Sequence, residues 1–302
     1  MTAFENALRA RCPELTAMRH VPLRDYTTLR VGGPADYFLE PENEEQLCAA
    51  LQAAKETDTA LLLLGNGSNL LVRDGGFRGA AVRLGKRFSS IVTTENGFYA
   101  QAGVLLSALS KAALDRGMTG LEFAQGIPGS VGGGAYMNAG AYGGEMGQVI
   151  SAVRIWDGET VRDADAADMD FAYRHTKAMD QSWTILGAEF ALTPGDPKAI
   201  EEKMRDYSAR RREKQPLEYP SAGSFFKRPS GHFAGALIEQ SNLKGHCVGG
   251  AQVSEKHAGF LINRGGATAD DFLRLMEHVQ RMVQEKFGVM LEPEVRIVGS
   301  GT

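Results

Sequence analysis

Cysteine is scarce in this chain, and its few cysteines form no pattern. The 302 residues include only Cys12, Cys48 and Cys247, which lie far apart. An odd number without metal-ligand or disulfide-framework spacing is typical of a protein in a reducing compartment. The six histidines show no metal-ligand spacing either, so the sequence predicts a cytoplasmic protein without a metal site.

Long apolar runs are also missing. No stretch approaches the roughly 20 apolar residues that a membrane-spanning helix needs, and residues 1–20 lack the apolar centre of a signal peptide. Hydrophobic residues nevertheless make up 43% of the chain, which is ample for a sizeable core. We therefore expect a globular protein that is not bound to a membrane.

Positive charge is not in excess, because the formal net charge is −4. The densest basic run, residues 210–214, follows apolar residues at helical spacing and is interpreted as a solvated helix end. Nucleic-acid binding needs clustered positive charge. The sequence therefore gives no reason to expect a nucleic acid as partner.

Three widespread motifs are absent as well. The chain contains no G-x-G-x-x-G, no P-loop G-x-x-x-x-G-K-[ST] and no G-x-S-x-G elbow. A Rossmann site, a P-loop and a hydrolase nucleophile elbow are therefore not supported.

Glycine, by contrast, is abundant and crowds into a few segments. Residues 65–70 (GNGSNL) directly follow the apolar run 60–64, which is predicted to be a strand buried on both faces. Backbone N–H groups in such a loop converge on an anion, and glycines let a phosphate approach the main chain. The loop contains no lysine or arginine, which favours a tightly held pyrophosphate over phosphoryl transfer.

A second glycine-rich segment spans residues 126–144. Ordering so many glycines in one connection is costly in backbone entropy, which favours a ligand that lines it. Tight turns between short strands are the alternative interpretation of either segment. The two segments together indicate a phosphate-bearing cofactor, which the spacing alone does not identify.

The remaining pattern predicts an N-terminal α/β region in two lobes and a C-terminal α+β domain. We expect domain ranges of 1–84, 85–196 and 197–302, the last entered by a helix that runs from Pro197 to Pro216. A second helix is predicted over 270–287, with a capping box at Thr268 and a terminal glycine. A further helix is predicted over 105–117, and strands over 80–84, 90–94, 97–103, 149–156 and 183–192.

Five ordered segments carry a resemblance to a known family. They are residues 65–72 (GNGSNLLV), 126–133 (GIPGSVGG), 171–176 (FAYRHT), 221–227 (SAGSFFK) and 291–296 (LEPEVR). Together they resemble the UDP-N-acetylenolpyruvoylglucosamine reductases of bacterial peptidoglycan synthesis, from about Pro22 to Val298. The stretch between Arg174 and Ser224 looks too short for the tyrosine-bearing loop of some members, so the chain resembles the shorter subclass.

The resemblance implies a vanillyl-alcohol-oxidase/PCMH-type fold, with two lobes around non-covalent FAD and a third domain over the flavin ring. It implies NADPH as reductant and a small nucleotide sugar as substrate. We separately expect a monomer. The FAD-binding residues that it implies are Gly65, Asn66, Gly67, Ser68, Asn69, Leu70, Gly126, Pro128, Gly129, Ser130, Gly132, Gly133, Asn138, Gly140 and Ala141.

The family's three catalytic positions fall on Arg174, Ser224 and Glu294. A guanidinium favours the negative charge that hydride transfer shifts onto the substrate carboxylate, and a serine hydroxyl can protonate C2. Glu294 acts either as a carboxylic acid or as an anion that orients Arg174. Candidate substrate-binding residues are Tyr173, Lys227, Arg228, Lys256 and His257.

Two other functions remain open at this point. An oxidase of the same fold would use oxygen, but many such oxidases tether FAD through His or Cys, and neither glycine segment contains either residue. A flavin- or nucleotide-sugar-binding sensor without turnover is the other alternative, and the presence of all three catalytic residue types argues against it.

Overall fold

The computed structural model describes residues 1–301, and the chain divides into two compact units. Unit 1 comprises Met1–Met18, Phe38–Asn66 and Ala80–Arg210, and unit 2 comprises Arg19–Tyr37, Gly67–Gly79 and the segment from Arg211 onward. Neither unit is one continuous stretch of sequence. The three domain ranges expected from the sequence stay a prediction.

Eight α-helices occur in the described residues. They are α1 (Ala3–Arg11), α2 (Glu44–Glu56), α3 (Leu106–Asp115), α4 (Val131–Tyr136), α5 (Lys177–Asp180), α6 (Pro197–Lys214), α7 (Ala234–Gln240) and α8 (Ala269–Phe287).

Nineteen strands, many of them short, alternate with these helices in the described chain. They are β1 (Met18–Pro22), β2 (Pro34–Leu39), β3 (Leu61–Leu64), β4 (Leu70–Val72), β5 (Phe77–Arg83), β6 (Ile91–Thr94), β7 (Gly97–Gln101), β8 (Met118–Thr119), β9 (Gly140–Ala141), β10 (Gly144–Glu145), β11 (Ile150–Trp156), β12 (Val161–Asp165), β13 (Thr184–Ala191), β14 (Thr193–Pro194), β15 (Ser221–Ser224), β16 (Cys247–Val248), β17 (Ala251–Val253), β18 (Phe260–Asn263) and β19 (Arg296–Val298).

Unit 1 is built around an antiparallel sheet of five strands in the order β12-β11-β13-β7-β6. Phe98 of β7 lies directly opposite Phe190 of β13, and both side chains are buried in its core. Helix α3 contributes Leu106, Leu109 and Ala113 to the same core, because these positions share one helical face. The predicted α3 and the predicted strands β5, β6, β7, β11 and β13 are confirmed.

Two expectations, about residues 60–64 and about residues 126–144, need correction. The predicted strand 60–64 exists as β3, paired in parallel with β5, but Leu61 and Leu63 are only half-buried while Leu62 and Leu64 are buried. The apolar run therefore has one buried face instead of two. The segment 126–144 is also not a single loop, because it contains α4 and the hairpin β9–β10.

Unit 2 holds an antiparallel sheet in the order β15-β18-β17-β16, to whose core α8 contributes Phe272, Leu275, Val279 and Val283. The predicted start and end of α8 are confirmed. Thr268 and Asp271 form a reciprocal capping box, and the helix ends at Gly288. The predicted helix that begins at Pro197 is confirmed as α6.

Part of unit 2 comes from the beginning of the chain. Strand β4 pairs in parallel with β19, so that Leu70 faces Arg296 in the register. Leu29, Val31 and Leu71 are buried in the same hydrophobic core as α8. Segments more than 200 residues apart in sequence therefore complete this unit together.

Candidate active site

The two glycine segments meet inside unit 1. The Asn66 side-chain amide donates a hydrogen bond to the Pro128 carbonyl, with 2.6 Å between the nitrogen and the oxygen. A Cβ added to Gly65 would lie 2.1 Å from Ser130 Oγ, so a larger residue would force the Ser130 side chain to move. Five predicted FAD-binding residues, Gly65, Asn66, Pro128, Gly129 and Ser130, are thereby brought together.

Several glycines of these segments let neighbouring parts of the chain pack closely. A Cβ on Gly132 would lie 2.7 Å from the Cβ of Ala102, to whose carbonyl the Gly132 N–H donates at 2.9 Å. Gly67 has a φ of 61°, and a Cβ there would lie 2.0 Å from the Tyr26 carbonyl oxygen. Gly133 differs, because it is exposed and an added Cβ would meet only Ser130 Oγ, at 3.8 Å.

The second half of the first segment is tied to the strand that follows Glu294 in unit 2. The Asn69 side-chain amide donates to the Glu294 carbonyl at 3.1 Å, and the Arg296 N–H donates to the Asn69 carbonyl at 3.0 Å. A predicted cofactor segment thus fixes the backbone of a predicted catalytic residue.

Ser224 and Glu294 lie on neighbouring segments of unit 2. Ser224 ends β15 opposite Phe260, follows Gly223 with a φ of 76°, and is exposed. The Glu294 N–H donates to the carbonyl of Phe225 at 2.9 Å. The structure therefore brings the two predicted catalytic residues onto paired backbones, although 70 positions separate them in sequence.

Arg174 lies in unit 1, in a tight turn. Ala172 and His175 exchange two backbone hydrogen bonds, of 3.0 and 3.2 Å, around Tyr173 and Arg174. Arg174 has a φ of 55°, a backbone conformation that disfavours residues with a Cβ. Its guanidinium donates to the Gly140 carbonyl at 3.4 Å and lies 5.2 Å from the centre of the Tyr173 ring.

The predicted substrate-binding residues Lys227 and Arg228 already have protein partners. The Lys227 ammonium lies 3.4 Å from a carboxylate oxygen of Glu292. Arg228 stacks over the ring of Phe233 at 4.0 Å, and both of these side chains are exposed. A diphosphate at Lys227 would have to compete with Glu292.

The remaining substrate candidates differ in exposure. Tyr173 is exposed beside Arg174, whereas the Lys256 ammonium donates to the Arg212 carbonyl at 2.8 Å and approaches Glu218 at 4.0 Å. Lys256 therefore holds the chain that leaves α6.

His257 is half-buried and holds the turn that precedes β18. Its Nδ1 accepts a hydrogen bond from the Gly259 N–H at 3.1 Å, and the Gly259 carbonyl accepts one from the Phe225 N–H at 2.8 Å. Burial lowers the pKa of His257 below its ordinary value of 6.5, and the nearby Lys244 ammonium lowers it further. The neutral imidazole that this turn requires is thus the form that folding favours.

We expect His257 to make stability depend on pH. Because its pKa is depressed in the folded state, the unfolded chain takes up the proton first as the pH falls. Its contribution is therefore complete above about pH 6.5 and is lost as the pH falls through the folded-state value. Urea unfolding at several pH values should show a smaller loss of unfolding free energy in His257→Asn, whose Oδ1 keeps the acceptor without titrating. Equal losses in both proteins would contradict this role.

Thr176 is a site residue that the sequence analysis missed. It is fully buried, and its hydroxyl donates to the Tyr136 carbonyl at 2.8 Å, which anchors the end of the Arg174 motif on α4. Its position at the end of the segment 171–176 was its signal in the sequence.

Metal-binding groups and membrane-spanning helices are both absent from the described residues 1–301. No group of three or more His, Cys, Asp and Glu side chains in this part of the chain could hold a metal ion. Among the helices of the same residues, none is both long and apolar enough to cross a membrane.

This architecture, with its paired glycine segments, defines a flavoprotein with a PCMH-type FAD-binding fold. Residues 35–163 match the FAD binding domain family, and residues 215–298 match the C-terminal domain of UDP-N-acetylenolpyruvoylglucosamine reductase. The glucose dehydrogenase Phl p 4.0202 shares the fold alone, with a TM-score of 0.51 and 15% identity over 65% of this chain and 45% of that chain.

Similarity along the whole chain identifies the family. The reductase of Pediococcus pentosaceus is 48% identical over 95% of this chain and 96% of its own length, and that of Clostridium novyi is 49% identical over 93% and 91%. The crystal structure of the Thermus caldophilus enzyme has a TM-score of 0.81 and 35% identity, over 94% of this chain and 100% of that chain. The chain belongs to the UDP-N-acetylenolpyruvoylglucosamine reductase family.

Proposed function

We propose that Arg174, Ser224 and Glu294 carry the substrate chemistry of an FAD-dependent reduction. The chain is an FAD-dependent oxidoreductase with NADPH as reductant. It reduces the enolpyruvyl group of UDP-N-acetylglucosamine enolpyruvate, which gives UDP-N-acetylmuramate. The product enters peptidoglycan synthesis. One observation supports the three assignments. Each residue lies within one of the motifs of this chain, which combines an FAD-binding domain with the C-terminal domain of this reductase.

Bound FAD would supply the hydride chemistry, with NADPH as the source of the hydride and C3 of the enolpyruvyl group as its acceptor. The glycine segments fit a phosphate-bearing cofactor, because the main chain at Gly133 is exposed and a Cβ at Gly143 would meet nothing within 4 Å. Neither segment contains a cysteine or histidine, which supports non-covalent binding. We propose that the residues named above between 65 and 70 and between 126 and 133, together with Gly140 and Ala141, line this site.

Arg174 is proposed to stabilise the charge that builds up on the substrate carboxylate. The enol ether is conjugated to that carboxylate, so hydride arrival at C3 moves negative charge toward C2 and the carboxylate oxygens. A fixed guanidinium lowers the energy of this charge-shifted state more than that of the ground state. The closed turn at 172–175 supports the role, because it limits the positions that Arg174 can adopt.

Ser224 is proposed to donate the proton that C2 needs after hydride transfer. A serine hydroxyl is a weak acid, but an enolate-like carbon is a strong enough base to take its proton. The exposure of Ser224 at the end of β15 leaves it accessible to a substrate, and the backbone of Glu294 lies beside it. Glu294 is proposed to polarise the same reacting group.

We propose that Tyr173, Lys227 and Arg228 bind the nucleotide part of the substrate. Exposed basic side chains attract a diphosphate, and Lys227 would exchange Glu292 for it. Lys256 and His257, which bond to the backbone, are proposed to shape the same substrate region.

The experiment that tests the function follows the flavin through both half-reactions. Purified protein should be yellow, release its flavin as FAD on denaturation, lose flavin absorbance with NADPH and regain it without oxygen when the enolpyruvyl sugar is added. An oxidase would be reoxidised by oxygen alone at a comparable rate, and a sensor would bind the sugar without reoxidation. Either result would overturn the proposal.

We further propose a cytoplasmic monomer that needs neither nucleic acid nor membrane. Three free cysteines and a net charge of −4 support this picture. Light scattering should give the mass of a single chain, 32.6 kDa. Twice that mass would contradict a monomer.

A further inference from the structure

We infer that Asn138 is a positioning residue for Arg174 and not a contact of the cofactor, an inference that rests on the role proposed for Arg174. Asn138 follows α4 with a φ of 41°, a left-handed conformation that asparagine tolerates better than most residues. Its side chain is fully buried. A side chain without exposed surface offers nothing to a bound dinucleotide.

The amide of Asn138 bonds to the protein at both ends. Its Oδ1 accepts a hydrogen bond from the Gly147 N–H at 2.9 Å, and its Nδ2 donates to the Ala172 carbonyl at 3.1 Å. The same carbonyl accepts the His175 N–H that closes the turn around Arg174. Asn138 therefore anchors one end of that turn to the segment after α4.

Two further bonds join the same segments. The Thr176 hydroxyl donates to the Tyr136 carbonyl at 2.8 Å, and the Arg174 guanidinium donates to the Gly140 carbonyl at 3.4 Å. The segment 136–140 is thus bonded to the segment 172–176 at three points. Of these three bonds, the one from Asn138 is the bond that reaches the backbone of the turn at 172–175.

Arg174 depends on such anchoring, because its φ of 55° is unfavourable for a residue with a Cβ. A strained conformation persists only where the surroundings fix it. If the anchor at Ala172 is lost, the turn can relax to a less strained form and the guanidinium moves. Misplacement of a catalytic group by about 1 Å slows a reaction by up to roughly 10²-fold.

The test uses Asn138→Asp in the holoenzyme. This change keeps the side-chain shape and the acceptor for Gly147, but it replaces the donor to Ala172 with a carboxylate oxygen. We expect unchanged FAD content per chain, flavin reduction by NADPH within about twofold, and reoxidation by the enolpyruvyl sugar slowed by roughly 10-fold to 10²-fold. Asn138→Gly, which also suits a positive φ, serves the same test if the buried carboxylate prevents folding.

A double-mutant cycle with Arg174→Ala separates positioning from a direct role. If Asn138 acts through Arg174, its replacement has little further effect on reoxidation once the guanidinium is gone. Full additivity, or loss of FAD with normal reoxidation of the flavin that remains, would overturn the inference. If Arg174→Ala alone leaves reoxidation unchanged, the proposed role of Arg174 fails, which is a distinguishable result.

Discussion

Replacing Ser224 by alanine is expected to slow reoxidation of the reduced flavin by the enolpyruvyl sugar by at least roughly 10²-fold, the lower range for a lost general acid. Reduction of the flavin by NADPH should continue at a near-normal rate, because that half-reaction requires no proton at C2 of the sugar. Stopped-flow absorbance resolves the two half-reactions in one protein.

Lys227→Met is the matched control for Ser224→Ala, since it removes a proposed binding charge from the segment that follows β15. It should raise the sugar concentration needed for half-maximal reoxidation while leaving the limiting rate nearly unchanged. Equal slowing of both half-reactions in Ser224→Ala would show instead that Ser224 supports the structure of β15.

Arg174→Lys is expected to slow reoxidation by about 10²-fold to 10³-fold, the usual cost of losing one preorganised donor to a developing negative charge. Lysine keeps the charge but not the planar pair of donors that matches a carboxylate. The same stopped-flow measurement checks the loss. A near-normal rate would mean that charge alone suffices or that another residue contacts the carboxylate.

Arg174→Gly distinguishes the catalytic role from a structural one. Glycine accepts a φ of 55° without strain, so the unfolding free energy should stay within about 1 kcal/mol of the original. Reoxidation should be slowed at least as much as in Arg174→Lys. A large loss of stability in denaturant titration would show that the side chain mainly holds the turn.

Elements that depend on residues close together in the sequence were predictable from local patterns. The boundaries of α8 follow from Thr268 and Gly288, and the five predicted strands of unit 1 follow from short apolar runs between turns. The family, the fold and the cofactor were also predictable, because the glycine segments retain a recognisable order.

Features that depend on distant partners were not predictable. The burial of β3 on one face depends on what packs against each face of its sheet. The pairing of β4 with β19 joins residues 226 positions apart. The sequence also did not show that Gly65, Gly67 and Gly132 each make room for another part of the protein. Asn138 likewise looked like one more residue of a loop, since its partner Ala172 lies 34 positions away.

The interleaving of the two units has a consequence for how the chain acquires its structure. Because Leu29, Val31 and Leu71 belong to the core of unit 2, its C-terminal segment lacks part of its interior when expressed alone. During synthesis, β4 leaves the ribosome long before its partner β19. Loop closure over such separations slows folding. The shortest continuous fragment that contains all of unit 2 begins at Arg19 and also contains most of unit 1, so no short C-terminal fragment contains a complete unit 2.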